Sequence, residues 1–110
     1  MTLPTNPSAW REPNIFLALG SNLGHKEANL KLALLLLQNA GLQLERVSRM
    51  YESPPWGVEE QPAFVNLVCR VSSPLLPMAI VERAFDIERK MGRVRRHKWG
   101  PREIDIDLLT

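Results

Sequence analysis

The chain has 110 residues, 45% of them hydrophobic and 24% charged, with a net charge of +2. That is the make-up of one globular domain able to bury a core without staples, and no apolar run nears the roughly 20 residues that span a bilayer. A single cysteine, Cys69, excludes an internal disulfide, and Met1–Pro13 lacks the apolar stretch of a secretory signal, so a cytoplasmic protein is expected.

Residues 1–13, rich in Pro, Thr, Asn and Ser, read as a mobile tail, and residues 14–110 as the core domain. A first strand is expected over Ile15–Leu19, broken by Gly20-Ser21-Asn22-Leu23-Gly24. Leu30, Ala33, Leu34 and Leu37 recur at helical spacing and predict a helix over Lys26–Asn39, ended by Gly41. A second strand follows over Leu42–Tyr51. Pro54, Pro55, Gly57 and Pro62 then make Glu52–Ala63 an irregular loop, well beyond the usual length of about two to five residues between paired strands; such loops are commonly functional. The third strand, Phe64–Ser72, leads into a second helix that Pro74 and Pro77 open and Gly92 closes, with Ile80, Ala84, Ile87 and Met91 as its buried stripe. Arg89 to Arg102 carries seven of the chain's 14 Lys and Arg residues and no acid. Alone, that block reads as a solvated face or a nucleic-acid patch. Ile104–Leu109 alternates as a fourth strand.

The order β-α-β-β-α-β is the ferredoxin-like split βαβ pattern, an α+β fold with an antiparallel sheet, strand order 4-1-3-2, and both helices on one face. Period two assigns the side chains. Val65, Leu67, Cys69 and Val71 should face the helices, as should Ile104, Ile106 and Leu108. Phe64, Asn66 and Arg70, with Asp105 and Asp107, should face the open side. The outward set on the first strand is Phe16, Ala18 and Gly20, small enough near its end to leave room for a ligand. Because that strand runs against both neighbours, Gly20–Asn22, Phe64–Asn66 and Asp105–Asp107 converge at one end of the sheet, where the two irregular loops also arrive.

Two carboxylates at i and i+2 on one strand face lie about 6.5–7 Å apart at Cα, close enough to share hard cations. Mg²⁺ takes one or two carboxylates plus phosphate oxygens, and an ion pair about 3.5–4 Å apart clamps a polyphosphate. An isolated Asp-x-Asp is equally a solvated strand face. Arg93, Arg95 and Arg102 in the adjoining loop tip the balance, since guanidinium groups match phosphate oxygens bidentately. Trp99 either stacks on a base or packs on the core. Glu88, one turn before the helix end, reads first as a surface residue and second as a contact for ribose or adenine. Phe64 beside the amide of Asn66 suits a flat heterocycle. The turn at Gly20–Gly24 matches neither phosphate-loop pattern, and His25 and His97 lack metal-ligand spacing.

Four segments, A-L-G-S-N-L-G (18–24), Y-E-S-P-P-W-G (51–57), Q-P-A-F-V-N (61–66) and G-R-V-R-R-H-K-W-G-P-R-E-I-D-I-D-L-L (92–109), resemble 6-hydroxymethyl-7,8-dihydropterin pyrophosphokinases of folate biosynthesis, in order and with compatible spacing. The resemblance implies transfer of the β,γ-diphosphoryl group of ATP to the pterin hydroxymethyl, releasing AMP. It implies that Asp105 and Asp107 hold two Mg²⁺ ions, that Arg93 and Arg102 assist catalysis, and that Glu88, Arg93, Arg95, Trp99, Arg102 and Leu108 lie along ATP. The pterin pocket falls to Ser53, Pro54, Pro55, Trp56, Phe64 and Asn66. Ser53 stands where Thr is common in the family and keeps the hydroxyl. The family continues some tens of residues beyond the position of Thr110, with further ATP contacts and a second pterin-stacking aromatic, so weak ligand binding and poor turnover are expected of this chain by itself. The partners implied are ATP and the dihydropterin, with no nucleic acid and no membrane. An RNA-recognition module shares the topology, but P-A-F-V-N-L-V-C-R lacks its alternating aromatics. A binding-only pterin or nucleotide domain is the other alternative; it would release no AMP.

Overall fold

A computed structural model of the chain describes residues 15–54, 62–92 and 103–109. Strand β1 (Ile15–Ser21) turns into helix α1 (Lys26–Asn39), followed by β2 (Gln43–Val47), β3 (Tyr51–Ser53), β4 (Phe64–Ser72), helix α2 (Pro77–Lys90) and β5 (Asp105–Leu109). All pairings are antiparallel, in the order β2-β4-β1-β5, with β3 on β4 as well. The fold is α+β, and the last strand lies beside the first, as the expected order requires.

One apolar face of the sheet meets the stripes of both helices. Leu17, Leu19, Leu67, Cys69, Val71, Ile104 and Ile106 are buried against Leu30, Ala33 and Leu37 of α1 and Ile80, Ala84 and Ile87 of α2. Period two on the strands and period 3.6 on the helices therefore point into the same layer. Both helices end on a glycine in the left-handed region, Gly41 at φ +99° and Gly92 at φ +82°. That conformation costs glycine nothing and other residues about 1 kcal/mol or more.

Four expectations about the elements are corrected. Strand β1 runs two residues beyond Leu19, because Gly20 is held on both sides, by Asn66 and by Asp105, and Ser21 pairs with Val65. Ladder bonds on both edges outweigh the poor strand propensity of glycine. The single strand expected over Leu42–Tyr51 is two strands. A register shift falls between Leu44 and Arg46, and Ser48 then clasps β4, its N–H donating to the Val68 carbonyl at 2.8 Å and its Oγ accepting the Val68 N–H at 2.9 Å. Glu52 and Ser53, assigned to the loop, belong to β3, opposite Val65 and Phe64. Pro74 lies outside α2, which begins at Pro77 after Leu76 as N-cap; Ser73 Oγ accepts the Leu75 N–H in the preceding turn. Among the described residues no helix is long and apolar enough to cross a membrane. The expected tail and most of both irregular loops, 1–14, 55–61 and 93–102, lie outside the described residues.

Candidate active site

The central position of β1 sets the site. Its open-face residues Ala18 and Gly20 stand between Asn66 of β4 on one side and Asp105 and Asp107 of β5 on the other. Strand β3 adds Tyr51 opposite Asn66 and Ser53 opposite Phe64. These residues, with Leu19, line a cleft of about 140 Å³. That is below the roughly 300–1,000 Å³ of pockets for drug-sized ligands.

Asn66 is oriented by its hydrogen bonds. Its Nδ2 donates to Ser53 Oγ at 2.8 Å and to the Tyr51 carbonyl at 3.2 Å. A carbonyl only accepts, which fixes the nitrogen on the β3 side. The Oδ1 acceptor is left over Gly20, where a Cβ would sit 3.0 Å from Asn66 Oδ1 and 3.2 Å from Phe64 Cδ1. Glycine is thus needed at this position for space, not for an unusual φ. Phe64 is half-buried, and the two residues before it are tied to the β1–α1 turn: Asn22 Nδ2 donates to the Pro62 carbonyl at 3.2 Å and Lys26 Nζ to the Ala63 carbonyl at 3.0 Å. Asn29 braces the turn itself through Ser21 Oγ and the Leu23 carbonyl.

Across Gly20, Asp105 is half-buried and Asp107 exposed, both on the open face beside the cleft. No cluster of three or more His, Cys, Asp or Glu exists among the described residues. A pair of carboxylates on one strand face suits a hard cation that completes its shell with ligand oxygens and water, as Mg²⁺ does.

The sequence-predicted residues divide as follows. Ser53, Phe64, Asn66, Asp105 and Asp107 are brought together around the cleft. Pro54 is exposed just beyond β3. Leu108 packs against the core on the helix-facing side, away from the cleft. Glu88 is the clear correction: far from being a surface residue it is 3% exposed, and its Oε2 accepts the Ile106 N–H at 2.8 Å. The signal was present, since Glu88 falls four residues after Ala84 and eight after Ile80, on the buried stripe. Pro55, Trp56, Arg93, Arg95, Trp99 and Arg102 lie outside the described residues. Two contributors were missed. Tyr51 lines the cleft because it alternates with Ser53 on one strand face, and Lys26 is read from sequence only as the start of a helix.

Comparison with known proteins bears on the family of the chain. Residues 16–110 match the family model described as 7,8-dihydro-6-hydroxymethylpterin-pyrophosphokinase. The chain is 41% identical over 95 residues to the 2-amino-4-hydroxy-6-hydroxymethyldihydropteridine pyrophosphokinase of Aquifex aeolicus, covering 86% of this chain and 59% of that one. It is 40% identical over 95 residues to the protein of the same name from Bacillus subtilis, covering 86% and 57%. With the protein of that name from Methylorubrum extorquens it shares 41% identity over 96 residues, 86% of this chain and 61% of the other. The chain thus spans about three fifths of the length of these relatives.

Proposed function

Because the chain belongs to the 7,8-dihydro-6-hydroxymethylpterin-pyrophosphokinase family, we propose that it takes part in transferring diphosphate from ATP to the hydroxymethyl group of 6-hydroxymethyl-7,8-dihydropterin, with release of AMP. The observation that carries the reading is the junction at Gly20, which brings a ring-binding pair, Phe64 and Asn66, within one cleft of the carboxylate pair Asp105 and Asp107. A flat heterocycle against Phe64 meets the Oδ1 acceptor of Asn66, and Ser53 and Tyr51 form the wall behind it. Asp105 and Asp107 would hold Mg²⁺, two ions in our reading, which neutralises phosphate charge and orients the polyphosphate when bound. Arg93, Arg95 and Arg102, in the segment that delivers β5, supply guanidinium groups for the phosphate oxygens, and Trp99 a surface for the base. A cytoplasmic location accords with the single, buried thiol of Cys69.

The direct test is AMP formation from ATP, Mg²⁺ and the hydroxymethyl dihydropterin. Its companion is calorimetric titration of a non-hydrolysable ATP analogue into the Asp105→Asn and Asp107→Asn variants. Loss of Mg²⁺-dependent binding with an unchanged circular dichroism spectrum is expected in each. Wild-type affinity in both variants would remove the metal assignment, and AMP formation by both would remove their part in catalysis.

A further inference from the structure

A carboxylate in the last turn of a helix sits at the negative end of the macrodipole, and a buried one loses its hydration. Glu88 is both: it lies two residues before the last residue of α2 and is 3% exposed. Its position is unfavourable unless a partner offsets both effects, and the Ile106 N–H, 2.8 Å from Oε2 in a buried hydrogen bond, is such a partner. That N–H belongs to the peptide between Asp105 and Ile106, inside the Asp-Ile-Asp triplet.

The placement matters because β5 is a strand of five residues whose sheet neighbour, among the described residues, is β1 alone. In an antiparallel ladder successive residues alternate between facing the partner and facing away. With the Ile106 N–H turned to Glu88, the outer edge of β5 is held by α2 while its inner edge is held by β1. The strand is gripped midway between the two aspartates that project onto the open face. A shift of β5 along β1, or a roll about its own axis, would change where both carboxylates end up, and would break the Glu88 bond first.

We infer that Glu88 is a positioning residue for the carboxylate pair: through the Ile106 amide it fixes the height and roll of β5, and so presents Asp105 and Asp107 to divalent cations in one arrangement. Glu88 acts here through the backbone and touches no ligand in this role. The inference rests on the reading of Asp105 and Asp107 as cation ligands, and the experiment separates the two.

Manganese binding is measured by electron paramagnetic resonance in the presence of a non-hydrolysable ATP analogue, for the full chain and for Glu88→Ala, Glu88→Gln and Ile80→Val. Glutamine keeps an oxygen acceptor for Ile106, whereas Ile80→Val only thins the packing of the same helix. Groups that orient metal ligands typically cost about 10–100-fold in affinity when removed, so Glu88→Ala is expected to lose about tenfold or more and Glu88→Gln to stay within about threefold. Ile80→Val should lower the melting temperature without moving Mn²⁺ affinity. Amide exchange at Ile106 should quicken in Glu88→Ala and stay slow in Glu88→Gln. Unchanged affinity in Glu88→Ala, or a loss in Ile80→Val equal to that in Glu88→Ala, overturns the positioning role. A wild-type chain that takes up no Mn²⁺ overturns the cation reading and this inference with it. Slow Ile106 exchange in Glu88→Ala overturns the inference alone.

Discussion

At Asn66 the amide nitrogen is committed to Ser53 Oγ and the Tyr51 carbonyl, so what reaches a ligand is the Oδ1 acceptor. On the proposed reading, the group recognised there would be an N–H donor on the heterocycle. Replacing Asn66 by Ala should weaken pterin binding by about 1–3 kcal/mol, the cost of leaving a buried polar group unpaired. Titration followed by ligand fluorescence reads this directly, and wild-type affinity would assign Asn66 to the sheet instead. Ser53→Ala should lose less, about 0.5–1.5 kcal/mol, because the Tyr51 carbonyl still orients the amide. A sharper result is expected at Gly20. A methyl group there meets Asn66 Oδ1 at 3.0 Å and Phe64 at 3.2 Å, so both must give way. Gly20→Ala should cost about 1–3 kcal/mol of stability through overpacking and should lower pterin affinity as well. Denaturant titration beside ligand titration checks the pair, and a variant that binds normally would show that the wall at Asn66 and Phe64 is soft.

The elements legible in the sequence are those whose apolar spacing coincides with burial. Leu30, Ala33 and Leu37 mark out α1 over Lys26–Asn39 as expected, and Leu67, Cys69 and Val71 fix both the bounds and the facing of β4. Asp105 and Asp107 were readable as open-face residues for the same reason, since Ile104 and Ile106 beside them are buried. What was not legible depends on partners remote in the chain. Nothing local at Ser48 to Met50 marks a break; the break exists because Ser48 clasps Val68 and the register shifts upstream. Glu88 was read by its chemistry when its spacing was the better guide. The tie from Lys26 to the Ala63 carbonyl joins a helix start to a loop end, and no periodicity encodes it. Lys26→Met keeps the apolar stem and deletes that bond. Loosened placement of Phe64 should then reduce pterin affinity by about 0.5–1.5 kcal/mol. Equal affinity would show that the contact merely fastens surface chain.

For the molecule as a whole, stability carries a signature of its buried thiol. Cys69 lies in the centre of the sheet, and burial pushes its pKa from 9.0 up to about 11, the backbone of Leu17 opposing in part. The unfolded chain releases this proton first, so it binds fewer protons than the native state between those values and stability must fall as pH rises. Below pH 8 the thiol has no effect; between about pH 9 and 11 it should remove on the order of 2 kcal/mol. Urea titrations of the wild type and Cys69→Val at pH 8 and 10.5 isolate the effect, and equal losses in both would show that the thiol titrates normally in the native state. The strand order also has a consequence in time. Strand β1 lies between β4 and β5 in the sheet, yet both of these neighbours follow it at long range along the chain. Pairings so distant along the chain form slowly, because the entropy of closing the loop is lost before any contact repays it. Closing β5 onto β1 is what sets Asp105 and Asp107 opposite Gly20 and Ala18, so, on the proposed reading of that pair, uptake of a divalent ion with nucleotide is a clock for the closing of β5 onto β1. In stopped-flow refolding it should rise with the slowest phase of circular dichroism. Uptake within the dead time would mean that the Asp-Ile-Asp triplet captures its ion before it has a sheet to stand on, and that the metal recruits the strand.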